Sequence, residues 1–181
     1  MLCDVQRSVL LVIDAQTRLL DAMHEAQDTS HGIALLCQAA NLLAVPVIVT
    51  EQYPKGLGHT DTAVEQALPA GIGKIEKTCF SCCGSAEFVN ALQHSGREQV
   101  VLTGVETHVC VLQTALELQQ AGKQVFVIED AVSSRQPQHK HNALQRLRQA
   151  GVIVSNRESL LFEWLRDARH AQFKAVTALI R

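Results

Sequence analysis

The segment "LTGVETHVCVLQTALEL" (residues 102–118) changes character midway along its length. Its first residues continue an apolar run typical of a buried strand, and its last residues place apolar side chains at about every third or fourth position, as an amphipathic helix does. Cys110 lies at the junction. A strand that leads directly into a helix is the repeating unit of α/β proteins, so this segment indicates the fold class.

The same alternation of apolar runs and helical patterns continues along most of the 181-residue chain. Strands that are continuously rich in Val, Ile and Leu are typical of parallel sheets covered on both faces. The sequence therefore predicts one domain over residues 1–181. Its fold is expected to be a three-layer α/β sandwich with a central, mostly parallel, doubly wound sheet of about six strands and helices on both faces.

The apolar and helical patterns also give the bounds of the expected elements. The expected strands are 8–15, 45–53, 72–80, 99–105, 124–132 and 152–156. The expected helices are 32–44, 62–68, 85–96, 107–121, 139–151 and 158–168, with a helical tail to Arg181.

The composition argues against several classes of protein. The chain is 47% hydrophobic and 19% charged, which is enough apolar material for a substantial core. A net charge of -2 without a long Lys/Arg run does not suit binding to nucleic acid or to an anionic membrane surface. The start, "MLCDVQRSVLLVIDA" (1–15), lacks the pattern of a secretory signal or a membrane span. We therefore expect a cytoplasmic protein whose six cysteines are reduced thiols.

Asp14 lies at the end of the first expected strand, and Cys110 follows the fourth. Ligands of such sheets bind beyond the carboxyl ends of the strands, near the point where the strand order reverses. Asp14 and Cys110 become neighbours if the first and fourth strands flank that point. Thr107 is expected to cap the following helix, which places Cys110 where free amides stabilise a thiolate or an oxyanion. The alternatives are a core role for Cys110 and a turn-capping role for Asp14.

A resemblance to a known superfamily rests on three segments, "VLLVIDAQ" (9–16), "EKTCFSC" (76–82) and "LTGVETHVCVLQTALEL" (102–118). They resemble the isochorismatase-like cysteine hydrolases, which include nicotinamidases and N-carbamoylsarcosine amidohydrolases. The similarity extends from about residue 7 to about residue 168. It is closest to a subgroup whose biological substrates are mostly unassigned, through "TEQYPKGLG" (50–58) and "GVETHVCVLQT" (104–114).

The resemblance implies a catalytic triad of Asp14, Lys77 and Cys110. By analogy, Asp14 takes the thiol proton and later activates water, Lys77 holds the charges in place, and Cys110 forms an acyl thioester with the substrate. The family also implies a cis peptide bond between Val105 and Glu106. That bond would turn the amide of Glu106 toward the amide of Cys110, so that the two amides form an oxyanion hole.

The second-strand region departs from the metal-binding members of the superfamily. Nicotinamidase-type relatives hold a metal through an Asp-x-His pair and a further His, whereas this chain has Glu51, Gln52 and Tyr53 there, with His59 alone. A metal site normally needs three well-placed ligands, so we expect no metal and no other cofactor.

The cysteine at position 110 points to cleavage of a C–N bond in a small amide-type substrate, because relatives that cleave isochorismate can lack this cysteine. Candidate residues for the substrate pocket are Gln52, Tyr53, Phe80, Thr107 and His108. Each of these is also compatible with packing or with a surface position, and His108 is expected to be exposed rather than a general base.

Two other functions fit parts of the sequence. Cys79 and Cys82 form a C-x-x-C pair, a spacing that thiol redox proteins use, although it is poorly specific. A non-catalytic scaffold with this fold is the second alternative. Members of the superfamily commonly assemble, so a homo-oligomer is expected, and the apolar C-terminal segment "FEWLRDARHAQFKAVTALI" (162–180) is a candidate interface.

Overall fold

The structure of the protein is a computed structural model that describes residues 1–180. The strands are β1 (Ser8–Ile13), β2 (Val47–Gln52), β3 (Lys74–Lys77), β4 (Gln99–Val105), β5 (Gln124–Ser133) and β6 (Ile153–Ser155). The helices are α1 (Thr17–Leu20), α2 (Ala26–Leu42), α3 (Pro54–Leu57), α4 (Thr62–Ala67), α5 (Ala86–His94), α6 (Leu112–Gln120), α7 (Pro137–Gln149), α8 (Arg157–Leu165) and α9 (Phe173–Ala178). A 3₁₀ turn at Cys82–Gly84 precedes α5, and a π-helical turn at Thr107–Val111 precedes α6.

The six strands form one sheet with the order β3-β2-β1-β4-β5-β6, and every neighbouring pair is parallel. The chain begins at the centre, runs outward to β3 at one edge, returns to β4 beside β1 and runs outward to β6. This is the doubly wound order, with its reversal between β1 and β4. The predicted parallel, doubly wound sheet of about six strands is therefore confirmed.

Helices cover both faces of the sheet. The side chains of β1 are fully buried and alternate between two apolar clusters, as the two-residue period of a strand requires. Leu10 and Val12 lie in a cluster with Trp164 of α8 and residues of α2. Val9 and Leu11 lie in the opposite cluster with residues of α5, α6 and α7. The predicted three-layer sandwich is confirmed.

The ends of β1 and β4 approach closely where Ile13 pairs with Gly104. Gly104 has φ +109°, and a Cβ atom at this position would lie 2.0 Å from the carbonyl oxygen of Ile13. Only glycine fits such a contact without moving one of the strands. The contact brings the segments that follow the two strands together, and these segments carry Asp14 and Cys110.

Two helix starts differ from the sequence prediction. The helix α2 begins at Ala26, six residues before the expected position 32, because its first turns are polar and lack the apolar period. The helix expected over 107–121 begins instead with the π-helical turn, in which the amide of Val111 donates to the carbonyl of Glu106 at 3.2 Å. A π-helical turn has no simple composition signal, so the sequence did not indicate it.

The C-terminal segment packs mainly on its own domain. Trp164, Leu165 and Val176 are buried in the core, and Phe162 is the large apolar side chain of this segment that is exposed among the described residues. The helical tail is present as α9, and Arg181 lies outside the described residues. None of the helices within residues 1–180 combines the length and the apolar character needed to span a membrane.

Candidate active site

Asp14 lies just beyond the end of β1, at the reversal point of the sheet, and its side chain is fully buried. Its backbone is in the left-handed region, with φ +50°, which is uncommon for a residue other than glycine. The Oδ1 atom accepts a hydrogen bond from the hydroxyl of Thr50 at 2.7 Å, and the Oδ2 atom accepts one from Nζ of Lys77 at 2.7 Å. Each carboxylate oxygen therefore has a donor.

Lys77 is the last residue of β3, and its side chain is also fully buried. Besides Asp14, its Nζ atom lies 2.7 Å from Oε1 of Gln52 and 3.2–3.3 Å from the carbonyl oxygens of Cys79 and Phe80. An ammonium group has three hydrogens, so these four acceptors leave none unused.

The charge state of Lys77 follows from two opposing effects. Burial disfavours the ammonium charge, but attraction to Asp14, with smaller contributions from Cys110 and Cys82, raises the pKa of Lys77 above its ordinary value. Lys77 is therefore a permanent buried cation that neutralises Asp14.

Cys110 is the fourth residue of the π-helical turn and is only 6% exposed. Burial raises the pKa of its thiol well above the usual range. The negative charge of Asp14 and a hydrogen bond to Asp14 raise this pKa further, whereas the charge of Lys77 lowers it. The thiol is thus neutral in the resting site. The expected stabilisation of a thiolate by the helix start is smaller here than the effects of burial and of Asp14.

The peptide bond between Val105 and Glu106 is cis, as the resemblance implied. It lies between the end of β4 and the π-helical turn that carries Cys110. The carboxylate of Glu106 points away to Arg135, whose Nε lies 2.8 Å from Oε2 of Glu106. The backbone of Glu106 therefore belongs to the candidate site, and its side chain forms a surface ion pair.

Thr107 and His108 differ from their expected positions. Thr107 does not cap the helix: Glu106 occupies that place without a capping side chain, and the Thr107 hydroxyl is buried with no hydrogen-bond partner among the described residues. His108 is partly buried. Its Nδ1 lies 2.9 Å from the hydroxyl of Ser134, and its ring lies 4.6 Å from the ring of His139.

The environment of His108 also fixes its charge. Burial, with smaller contributions from His139 and Arg135, lowers the pKa of His108 against the opposing effect of Glu106. His108 is therefore neutral at physiological pH and interacts with Ser134 and His139.

Three residues of the expected substrate pocket surround Lys77. The side chain of Gln52 is held at both ends, since Oε1 accepts from Lys77 and Nε2 donates to the carbonyl of Thr78 at 2.8 Å. Tyr53 and Phe80 are about half exposed, at 54% and 55%. A cavity of about 360 Å³ is lined by Tyr53, Pro54, Lys55, Glu76, Lys77 and Thr78.

Glu51 is buried next to this network and is held by its own neighbours. Its Oε1 accepts from the amide and the hydroxyl of Thr60, both at 2.7 Å, and its Oε2 lies 3.2 Å from Nδ1 of His59. Burial opposes the charge, but the hydrogen bonds from Thr60 and His59 lower the pKa of Glu51 below its ordinary value. Within residues 1–180, no group of three or more His, Cys, Asp or Glu side chains is arranged to hold a metal ion.

The cysteines near Lys77 are free thiols in different environments. Cys82 is fully buried, and burial raises its pKa to about 12. Cys79 and Cys83 are partly exposed, and burial raises the pKa of Cys83. A buried thiol with a raised pKa reacts slowly unless a neighbouring base takes its proton. Cys110 is hydrogen-bonded to the carboxylate of Asp14, whereas Cys82 lies against the hydroxyl of Thr50 and lacks the low pKa and the accessibility of a redox-active cysteine.

Thr50 is the residue of the site that the sequence did not indicate. It follows three apolar residues of β2 and is read as part of a buried strand, yet its hydroxyl contacts Asp14. The available signal is its position two residues before Gln52, because residues two apart on a strand point to the same face. Thr50 and Gln52 thus reach Asp14 and Lys77, respectively, from one face of β2.

The family model of the isochorismatase domain matches residues 8–159, and the chain therefore belongs to the isochorismatase family. Isochorismatase domain-containing protein 2 of Bos taurus is 40% identical over 179 residues, which cover 96% of this chain and 83% of that protein. Family membership supports hydrolytic activity.

Two solved structures have the same fold. The structure of MAR1 ribonuclease from Caenorhabditis elegans is 36% identical, with a TM-score of 0.94, and the match covers 99% of this chain and 92% of that chain. The YcaC gene product of Escherichia coli, described as an octameric hydrolase of unknown specificity, is 25% identical with a TM-score of 0.93 and covers 99% and 89% of the two chains.

Proposed function

We propose that this isochorismatase-family protein hydrolyses a C–N bond of a small amide-type substrate, with Cys110 as the nucleophile. The observation that carries the proposal is the buried ion pair between Asp14 and Lys77 at 2.7 Å, beside a buried thiol. A buried charge pair is rarely needed for stability, since apolar residues of similar volume often stabilise a protein as well. Its position at the reversal point of the sheet supports a catalytic role.

The first half of the reaction transfers a proton and forms a thioester. Asp14 takes the proton of the Cys110 thiol as the sulfur attacks the carbonyl carbon of the substrate, so a free thiolate does not accumulate. The amides of Glu106 and Cys110 bind the oxyanion that develops on the carbonyl oxygen. The C–N bond then breaks, the leaving nitrogen takes the proton from Asp14, and an acyl thioester remains on Cys110.

The second half regenerates the thiol. Asp14, charged again, takes a proton from a water molecule that attacks the thioester carbon. The C–S bond breaks, Asp14 gives this proton to the sulfur of Cys110, and the carboxylic acid product leaves. Lys77 stays protonated throughout, because its raised pKa and its four acceptors fix it as an ammonium ion. Its contribution is to hold Asp14 in place and to keep the net charge of the site near zero.

The surroundings of the site suit a small, uncharged or partly aromatic substrate. Tyr53 and Phe80 are about half exposed, and Tyr53 lines a cavity of about 360 Å³ together with Lys77. Gln52 is already hydrogen-bonded at both ends of its amide, so we assign it to the support of Lys77 rather than to contact with substrate. Thr107 and His108 complete the expected pocket. The hydroxyl of Thr107 is buried and has no hydrogen-bond partner among residues 1–180.

The Caenorhabditis elegans relative is named a ribonuclease, so RNA is the second substrate class to test. The net charge of -2 and a nucleophile that is 6% exposed do not favour binding of a phosphate backbone. We also propose that the protein is a cytoplasmic homo-oligomer; the octameric YcaC relative supports assembly.

The proposal is tested with a panel of small amides, ureas and N-carbamoyl compounds, with release of ammonia or amine as the readout. At least one amide is expected to be hydrolysed, and Cys110→Ala and Asp14→Asn are expected to abolish this activity. Cys37→Ala is the matched control, because Cys37 is a buried thiol packed in the cluster on the other face of the sheet. Hydrolysis that survives Cys110→Ala, or cleavage of RNA alone, contradicts the proposal.

A further inference from the structure

Thr50 contacts Asp14 through both its backbone and its side chain. Thr50 pairs with Ile13 in the parallel register of β1 and β2, and its carbonyl accepts the amide of Asp14 at 3.1 Å. Its hydroxyl donates to Oδ1 of the same residue at 2.7 Å. Both side chains are fully buried, and Asp14 has φ +50°. One residue of the neighbouring strand thus fixes the uncommon backbone conformation and the carboxylate orientation of Asp14.

The hydroxyl of Thr50 has a second neighbour. The Sγ atom of Cys82 lies 3.8 Å from the hydroxyl oxygen, and the amide of Cys82 is held by the hydroxyl of Thr114 at 2.9 Å. The Thr50 hydroxyl donates to Asp14, so it can only accept from the thiol of Cys82. The single hydrogen of the Thr50 hydroxyl is then directed at Asp14.

We propose that Thr50 is a positioning residue that holds the carboxylate of Asp14 in the orientation needed to accept the proton of Cys110. This inference rests on the proposed function. A carboxylate accepts about four hydrogen bonds, so Thr50 and Lys77 can each occupy one oxygen while a site remains for the thiol proton.

The electrostatic surroundings of Asp14 come from three elements. Lys77 faces it from β3, Cys82 from the 3₁₀ turn and Cys110 from the π-helical turn. Both cysteines are neutral in the resting site, so Lys77 supplies the opposing charge and Thr50 supplies a neutral donor. Removal of the Thr50 hydroxyl therefore leaves Oδ1 of Asp14 without the donor that it has in the structure.

The test compares the pH dependence of Cys110 alkylation in Thr50→Val and Thr50→Ser. Valine keeps the shape of threonine and removes the hydroxyl, whereas serine keeps the hydroxyl. The rate of reaction with iodoacetamide is measured from pH 5 to pH 10, and peptide mapping assigns it to Cys110. We expect Cys110 of Thr50→Val to react roughly tenfold more slowly than Cys110 of the wild type, since a hydrogen bond to a charged group is of that strength. Thr50→Ser is expected to follow the wild-type profile.

The outcome separates this inference from the proposed function. If Asp14→Asn slows the reaction of Cys110 but Thr50→Val reacts at the wild-type rate, Thr50 has no positioning role. A loss of rate that Thr50→Ser shares also overturns the inference, because a lost methyl group then explains it. If Cys110 of the wild type is inert, the proposed function fails. Thermal melting checks folding, and Thr50→Ala replaces Thr50→Val if the valine variant does not fold.

Discussion

Asp14 and Lys77 are 63 residues apart in the chain, yet Nζ of Lys77 lies 2.7 Å from Oδ2 of Asp14 and neither side chain is exposed. The doubly wound sheet creates this contact. β1 is central and β3 lies at the edge beyond β2, and the last residue of β3 extends its long side chain back to the end of β1. The pair, with Cys110 beside it, is the centre of the proposed reaction.

The first prediction concerns the buried pair itself. Asp14→Asn removes the proposed base and leaves a buried ammonium without its counter-ion. We expect a loss of activity of at least about 100-fold, as for a lost general base, and a loss of about 3–5 kcal/mol in the free energy of unfolding. The double variant Asp14→Asn/Lys77→Met is expected to recover stability without activity. Chemical denaturation and the amide assay measure both effects; recovery of activity in the double variant contradicts the account.

The second prediction concerns the contact between β1 and β4. Gly104→Ala places a Cβ atom 2.0 Å from the carbonyl oxygen of Ile13 and forces φ +109° on a residue with a side chain. Gly122→Ala is the matched control, because Gly122 has φ +84° but no atom within 4 Å of a new Cβ. We expect backbone strain to lower the free energy of unfolding of the control by on the order of 1–3 kcal/mol. The free energy of unfolding of Gly104→Ala is expected to fall by clearly more. Equal melting temperatures of the two variants would falsify the packing argument.

The third prediction concerns acid stability. The pKa of Glu51 is lower in the folded protein than its ordinary value of 4.5, so its charge stabilises the fold above that pH. This contribution is lost as the pH falls below 4.5 through the folded value. We expect Glu51→Gln to be less stable than the wild type at pH 7 and to lose less stability between pH 5 and pH 3.

Urea denaturation across this pH range measures the third prediction. Glu65→Gln is the control, because Glu65 forms an exposed ion pair with Lys74. If the free energy of unfolding of Glu51→Gln falls with pH in parallel with that of the wild type, Glu51 contributes nothing to acid stability.

The fourth prediction separates hydrolysis from thiol redox chemistry. Lys77 contacts the carbonyl oxygens of Cys79 and Phe80, which no substitution of their side chains removes. Cys79→Ser and Cys83→Ser are therefore expected to retain amide hydrolysis within about twofold, since surface changes of this kind have small effects. If Cys79→Ser loses activity, and a reductant increases the activity of the wild type, the C-x-x-C pair has a redox role.

The sequence predicted the architecture well because burial on both faces leaves a plain signal. Continuous apolar runs such as 99–105 matched the observed strand at both ends. The order of the strands then brought Asp14 and Cys110 to the same reversal point, as expected from the doubly wound order. The cis peptide bond between Val105 and Glu106 came from the family resemblance rather than from the residues alone.

The sequence did not predict the finer features that depend on three-dimensional contacts. The capping prediction for Thr107 was wrong, because a π-helical turn moves the start of the helix and leaves its hydroxyl without a partner among the described residues. A lowered pKa was expected for Cys110 from its position at a helix start, whereas burial and the nearby carboxylate raise it. Thr50 was read as an ordinary strand residue, because only the register of β1 and β2 brings its hydroxyl to Asp14.

The most direct test of the central claim is the order in which the cysteines react with a limiting amount of iodoacetamide at pH 8. Peptide mapping assigns each modified thiol in the wild type and in Asp14→Asn. The account predicts that Cys110, although 6% exposed, reacts before the more exposed Cys79 and Cys83, because Asp14 accepts its proton as the sulfur attacks. Asp14→Asn is expected to remove this preference. Modification of Cys79 and Cys83 first, with Cys110 unmodified, would contradict the claim that Cys110 is the nucleophile.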